Sequence, residues 1–144
     1  MKYTIKTIPH NSLEYDNAVA LRYDILRKPL GLFYTLEQLE AEKNEYHFAA
    51  FKEEMVIGSI SLVPVNKDLI KMRQFAVKEE LQKKGIGTQL ILHCEEWAKE
   101  NGYKEIVLHA RLTAVPFYKK LNYTTIGDEF TEVGLPHYKM MKKL

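Results

Sequence analysis

The feature that most restricts this chain is the junction QFAVKEELQKKGIGTQLI, Gln74 to Ile91, where a strand-forming run passes through a loop with two glycines into a helical pattern. Two familiar glycine loops are excluded here. A dinucleotide fingerprint needs a third small residue three places after Gly87, and that position is Leu90. A Walker-type loop needs Gly-Lys-Ser/Thr, and Gly87 is followed by Thr88. What remains is a strand, a loop poor in side chains and a helix start, whose first amides lack internal partners and point outward with the positive end of the dipole. Gly85 and Gly87 would let a phosphate approach that backbone without meeting a Cβ, and Lys83 and Lys84 add positive charge. Each amide–phosphate bond is worth about 1.5–3 kcal/mol and the dipole about 0.3–1 more, enough to hold a pyrophosphate. The alternative is that the glycines only relieve crowding at a tight turn, and spacing alone does not choose between the two.

The rest of the chain supplies a sheet around this junction. KYTIKTI (2–8) alternates as a first strand. A helix begins near Asn11 or Ser12, where Asn11 and Glu14 have capping-box spacing, and stops before Pro29. Thr35 and Gln38 cap a second short helix to about Lys43. HFAAF and VIGSISLVPV predict a hairpin turning at Lys52–Met55, and Asn66-Lys67-Asp68 turns into the strand 70–77. After the glycine loop, Leu90, Ile91, Cys94, Trp97 and Ala98 share a helical face, which Asn101-Gly102 ends. EIVLHA (105–110) is a strand and TAVPFYKKL a short helix with proline in its first turn. Strands near Tyr123–Phe130 and His137–Lys142 flank a turn at Gly134. The order β-α-α-β-β-β-α-β-α-β-β predicts one mixed sheet covered by helices, an α/β fold.

At 144 residues the expectation is one domain spanning 1–144. A formal net charge of +2 is too small to argue for nucleic acid as a partner. No apolar leader or membrane-length run is present, so a membrane is not expected. A single cysteine, Cys94, fits a reducing cytoplasm.

QFAVKEELQKKGIGTQLI resembles the cofactor motif of the GCN5-related N-acetyltransferases (GNAT), Gln/Arg-x-x-Gly-x-Gly/Ala, here Gln82-Lys83-Lys84-Gly85-Ile86-Gly87 behind Phe75-Ala76-Val77. LHARLTAVPFYKKLNY is similar to that family's second signature through Ala114, Tyr118 and Leu121-Asn122-Tyr123. The closing FTEVGLPHYKM resembles small bacterial members of the ElaA-like kind. The resemblance runs from about Tyr46 to the C-terminus. It implies a mostly antiparallel central sheet flanked by helices and an acetyl-CoA-dependent N-acetyltransferase acting on a primary amine by direct attack in a ternary complex. The loop amides from Gln82 to Thr88 would hold the pyrophosphate, and the strand Phe75–Val77 would pair its backbone with the pantetheine arm, whose amides are spaced like a peptide's. Arg111 stands where many members place an asparagine on the cofactor, so it is a cofactor candidate. No metal is implied, and a homodimer is left open. A different class, a CoA-binding sensor or interaction module without turnover, is the alternative.

Acetyl transfer to an amine requires deprotonation of the amine, stabilisation of the carbonyl oxygen and neutralisation of the departing thiolate. An amine of pKa ~10.4 is free in about one molecule in 2,500 at pH 7, a deficit near 4.6 kcal/mol. By the resemblance Tyr118 is the acid for the thiolate; read without that motif, it shares an apolar helical face with Ala114, Phe117 and Leu121 and reads as core. A backbone N–H at Val77 would hold the carbonyl oxygen. The strand 70–77 lacks the glutamate that many relatives use as base. His137, fixed by Gly134-Leu135-Pro136, is preferred for that role over His109, with Glu132 and Glu129 behind them. Arg22 sits on an apolar stripe and is read as either a packed stem or an arginine facing the acceptor's carboxylate. Tyr34, with Arg27 and Lys28, lies in the segment that shapes the acceptor pocket in relatives.

Overall fold

The computed structural model describes residues 2–144. Strands β1 (Thr4–Ile8), β2 (Tyr46–Lys52), β3 (Met55–Pro64), β4 (Leu69–Val77), β5 (Glu105–Arg111), β6 (Thr124–Glu132) and β7 (Leu135–Lys143) form a single sheet in the order β1-β2-β3-β4-β5-β7-β6. Every neighbouring pair is antiparallel except β4 with β5. That parallel pair is short. Leu69, Ile70 and Lys71 face Glu105, Ile106 and Val107, and beyond Lys71 the register ends. Above this point the two strands diverge and the sheet opens into a V.

The helices α1 (Leu13–Arg22), α2 (Leu36–Ala41), α3 (Ile86–Glu100) and α4 (Val115–Lys120) cover the sheet. On one face Ile86, Leu90, Ile91, Cys94 and Ala98 of α3 pack on Phe48, Ile60, Ile70, Met72, Ile106 and Leu108. Each fully buried Leu or Ile there contributes about 1.5–3 kcal/mol, so this seam dominates the apolar stabilisation. On the other face Tyr15, Ala18 and Leu21 of α1 meet Ile8, Ala49, Phe51, Val56 and Ala76. Among the described residues no helix is long and apolar enough to cross a membrane.

Several local expectations change in detail. The cap of α1 is Ser12, whose Oγ accepts the Tyr15 N–H at 3.0 Å, while Asn11 takes a positive φ of 62° just before it. Both bonds of the Thr35/Gln38 capping box form, at 3.1 and 3.0 Å. The α1 geometry ends at Arg22, and a π-helical turn, Tyr23–Arg27, carries the chain to the 3-10 turn Lys28–Leu30. The last hairpin is longer than expected because its turn is only Val133-Gly134, both at positive φ (46° and 77°). A β-branched residue rarely accepts that geometry, and propensity therefore placed the turn more broadly.

Candidate active site

Two hollows meet at the V, and Phe75 and Ala114 belong to both. The first is a groove along the end of β4. Phe75, Ala76 and Val77 form one wall, and Gln82, Lys83, Gly85, Gly87 and Thr88 form its end. Ile25 from the π turn and Phe117 from α4 line it as well. Lys78 N donates to Ile57 O at 2.9 Å, so ladder alternation turns the amide and carbonyl of Val77 away from β3 and into the gap. The Val77 carbonyl there accepts a hydrogen bond from Gln82 Nε2 at 3.0 Å. Gln82 thus ties the glycine loop to the strand it follows.

The two glycines serve different ends. Gly85 caps α3 at φ +87°, a left-handed conformation, and a Cβ there would meet nothing within 4 Å. Its openness leaves the α3 N-terminus accessible. Gly87 is a packing position, because a Cβ would lie 2.7 Å from Cζ of Phe75. Ile86 is 1% exposed in the core, so only its amide can face a ligand. Lys83 lines the groove in the left-handed region (φ 63°), whereas Lys84 is exposed and does not line it.

The second hollow, roughly 430 Å³, fills the V itself. Tyr118 reaches its wall from α4, with its ring against Phe117 and Tyr123. Burial pushes the phenol well above its ordinary pKa, so it stays protonated as a donor. Among the described residues no hydrogen-bond partner engages its hydroxyl. His109 and His137 both line the hollow, joined by Glu132. Burial pushes the Glu132 carboxyl up, but the hydrogen bond and charge of His109 outweigh this and hold it below the usual range. An ionised carboxylate only accepts, so His109 Nδ1–H donates to Glu132 Oε1 at 3.0 Å, and in the neutral ring the lone pair is then on Nε2. His137 is 4% exposed, its Nδ1–H donates to Leu135 O at 2.9 Å, and its Nε2 lies 3.7 Å from Glu132 Oε2. His137 is held in a buried place near the start of β7; the more accessible imidazole, oriented by a carboxylate, is His109.

Residues 33–144 match the model of the acetyltransferase (GNAT) domain. The chain belongs to the GNAT family. Bacillus subtilis YjcF, described as an uncharacterised N-acetyltransferase, is 26% identical over 136 residues, covering 94% of this chain and 96% of YjcF. The fold is similar to that of Escherichia coli ElaA, with a TM-score of 0.84 at 16% identity over 98% of this chain and 99% of that one. It is also similar to a GNAT acetyltransferase from Elizabethkingia anophelis with acetyl-CoA bound, with a TM-score of 0.76 at 19% identity over 99% and 98% of the two chains.

Against this GNAT frame three expected site residues move. Arg111 lines the V-shaped hollow and not the groove of the glycine loop. Arg22 does meet a carboxylate, but it is the chain's own. Its Nη1 and Nη2 donate to the two oxygens of Glu42 at 2.8 and 2.7 Å, and its side chain is 2% exposed. Tyr15 Oη donates to the same carboxylate at 2.8 Å. Burial pushes the Glu42 carboxyl up, and the bonds from Arg22 and Tyr15 outweigh that and bring it below the ordinary value. Tyr34 also stands behind the wall. Its hydroxyl donates to Gln74 Oε1 at 2.8 Å, and its ring carries the guanidinium groups of Arg22 and Arg27 at 4.7 and 4.5 Å. Gln74 is the bulged residue of β4, at φ 57°, where the register to β3 shifts. Arg22 and Tyr34 therefore brace the bulge that opens the V.

Glu42, Glu45 and His47 come within metal-ligand spacing of one another. Their donor atoms are largely taken. Both Glu42 oxygens hold Arg22 and Tyr15, and His47 spends Nδ1 on Ser61 Oγ and Nε2 on the Glu42 carbonyl. Sequence reading passed over Lys71 and Arg73, which line the hollow. Their signal was present, as two cations at i and i+2 of a strand share a face.

Proposed function

We propose that this GNAT protein moves an acetyl group from acetyl-CoA to a primary amine by direct attack while both are bound. The observation that carries the proposal is the junction of the two hollows at Phe75 and Ala114, with an amide-lined groove on one side and Tyr118 and His109 on the other. The groove fits the cofactor on two counts. The first amides of α3 stand open beside Gly85, and the β4 edge at Val77 turns polar backbone groups into the gap. Bound acetyl-CoA would supply the acyl group as a thioester. The Val77 N–H would polarise the carbonyl, His109 Nε2 would take the proton of the amine, and Tyr118 Oη would give its proton to the departing sulfur. Glu132 holds the His109 ring in the required tautomer.

The test is to mix purified protein with acetyl-CoA and a panel of amines and to follow free thiol. Amine-dependent release, with an acetylated amine recovered in equal amount, is the expected result. Tight CoA binding without amine-dependent release would make the chain a CoA-binding module.

A further inference from the structure

We infer that the acceptor amine carries an anionic group, a carboxylate or a phosphate, held by Lys71, Arg73 and Arg111 in the V-shaped hollow. The inference rests on the acetyl-transfer reading for the identity of the reacting amine, and on the charge of the hollow for the rest.

Four full cations line the hollow, Arg27, Lys71, Arg73 and Arg111, against one carboxylate, Glu132. Three of them follow from strand alternation. Lys71 and Arg73 of β4 point to the face opposite Ile70 and Met72, which are buried against α3. Arg111 and His109 alternate in the same way with Leu108 and Ala110 on β5. Cross-strand pairing then puts His137 opposite Arg111 and a further cation, Lys139, opposite His109. Only part of this charge is matched within the protein. Glu132 is committed to His109, and the nearest carboxylate to Arg73 is Glu45 at 3.9 Å. Among the described residues no carboxylate lies within 4.0 Å of Lys71, Arg111 or Arg27. Burial lowers the Lys71 ammonium pKa, and the charges of Arg73 and Lys139 lower it further against the pull of Glu132. An anion among these groups would relieve that repulsion.

The pyrophosphate of the cofactor does not account for these cations. Its candidate cradle is the other groove, which contains none of the four. The cations line a half-open hollow, and the whole chain is only +2, so an extended polyanion is not its match. The same field also selects the form of the amine. A simple alkylammonium or a polyamine would enter against like charge, whereas an amine with its own carboxylate enters near neutrality. Once inside, the cationic wall favours the unprotonated amine that the reaction needs.

The test uses the full-length protein, acetyl-CoA and matched acceptors. β-Alanine, 4-aminobutyrate and 6-aminohexanoate are compared with their amides, phosphoethanolamine with ethanolamine, and spermidine is added. For at least one pair, kcat/KM for the anionic member should exceed that of its neutral partner by tenfold or more. Which pair responds tells carboxylate from phosphate. The ratio should fall toward one at 0.5 M salt and in Lys71→Met and Arg73→Gln, with Arg111→Gln as a third variant should either lose its fold. Amides or spermidine used as well as the acids would overturn the inference and leave acetyl transfer standing. If no amine turns over, calorimetry of the same acids and amides on the CoA-loaded protein decides. Tenfold tighter binding of an acid, lost in Lys71→Met, would uphold the anion site and sink the transfer reading, and equal binding would sink both.

Discussion

Tyr118 can act as an acid only if its hydroxyl is available and protonated, and its place on the wall of the hollow supplies both conditions. Tyr118→Phe keeps the ring contacts with Phe117 and Tyr123 and deletes the proton. We predict a fall in turnover of about 10²–10⁴ with acetyl-CoA affinity nearly unchanged. His109→Gln should lower kcat/KM by about 10²–10⁴ as well, and His137→Gln should lower it far less. The reverse order, measured under the same conditions, would return the base to His137. These assignments differ in how far the sequence could reach. The place of Tyr118 beside the hollow was legible because a motif of fixed spacing singles it out. The partner of His109 was not, since Glu132 lies 23 residues away on another strand and arrives only through the pairing of β6 with β7 and β7 with β5. Arg22 was legible as an anomaly on an apolar stripe, but the acceptor's carboxylate expected for it is replaced by the chain's own. That the carboxylate is Glu42 depends on where α2 ends, and no local pattern encodes this.

At the scale of elements, the start of α3 and its loop supply the open backbone at the end of the groove. Gly85→Val forces a β-branched residue into φ +87°, and Gly87→Val drives a side chain into the Phe75 ring. Both should weaken acetyl-CoA at least tenfold by calorimetry, for different reasons. Gly87→Val should also move Phe75 and cost thermal stability, and restoring space with Phe75→Leu should recover part of that loss. Unchanged affinity in both variants would remove the cradle. The capping box, the hairpin turns and the apolar face of α3 could be read from residues because each is written in a pattern a few positions long. The π turn at Tyr23–Arg27 and the bulge at Gln74 could not. No glycine or proline marks the bulge, which is held from outside by Tyr34, 40 residues away.

Across the whole molecule, the buried charges on the α1 face link stability to pH. Glu45 keeps one oxygen, Oε1, buried without a partner, and burial together with the nearby Glu42 raises its pKa. A carboxyl raised on folding costs nothing below its unfolded value, and the cost grows as pH climbs through the folded value. Glu45→Gln should therefore stabilise the protein at pH 7 by about 1 kcal/mol and lose that advantage by pH 4, as read by denaturant titration at both values. Glu42 has the opposite sign. Its lowered folded pKa contributes stability above the ordinary carboxylate range, and this is lost as pH falls through the folded value. A gain from Glu45→Gln that persists undiminished in acid would show that the side chain is not ionised in the fold.

The single thiol of the chain gives this architecture a clock. Cys94 is 0% exposed under α3, and burial raises its pKa well above that of a free thiol, so a disulfide dye cannot react with it while the seam is closed. Dye that consumes CoA thiol within seconds would then report catalysis alone. Any slower, amine-independent uptake of one equivalent per chain would time the opening of the seam itself.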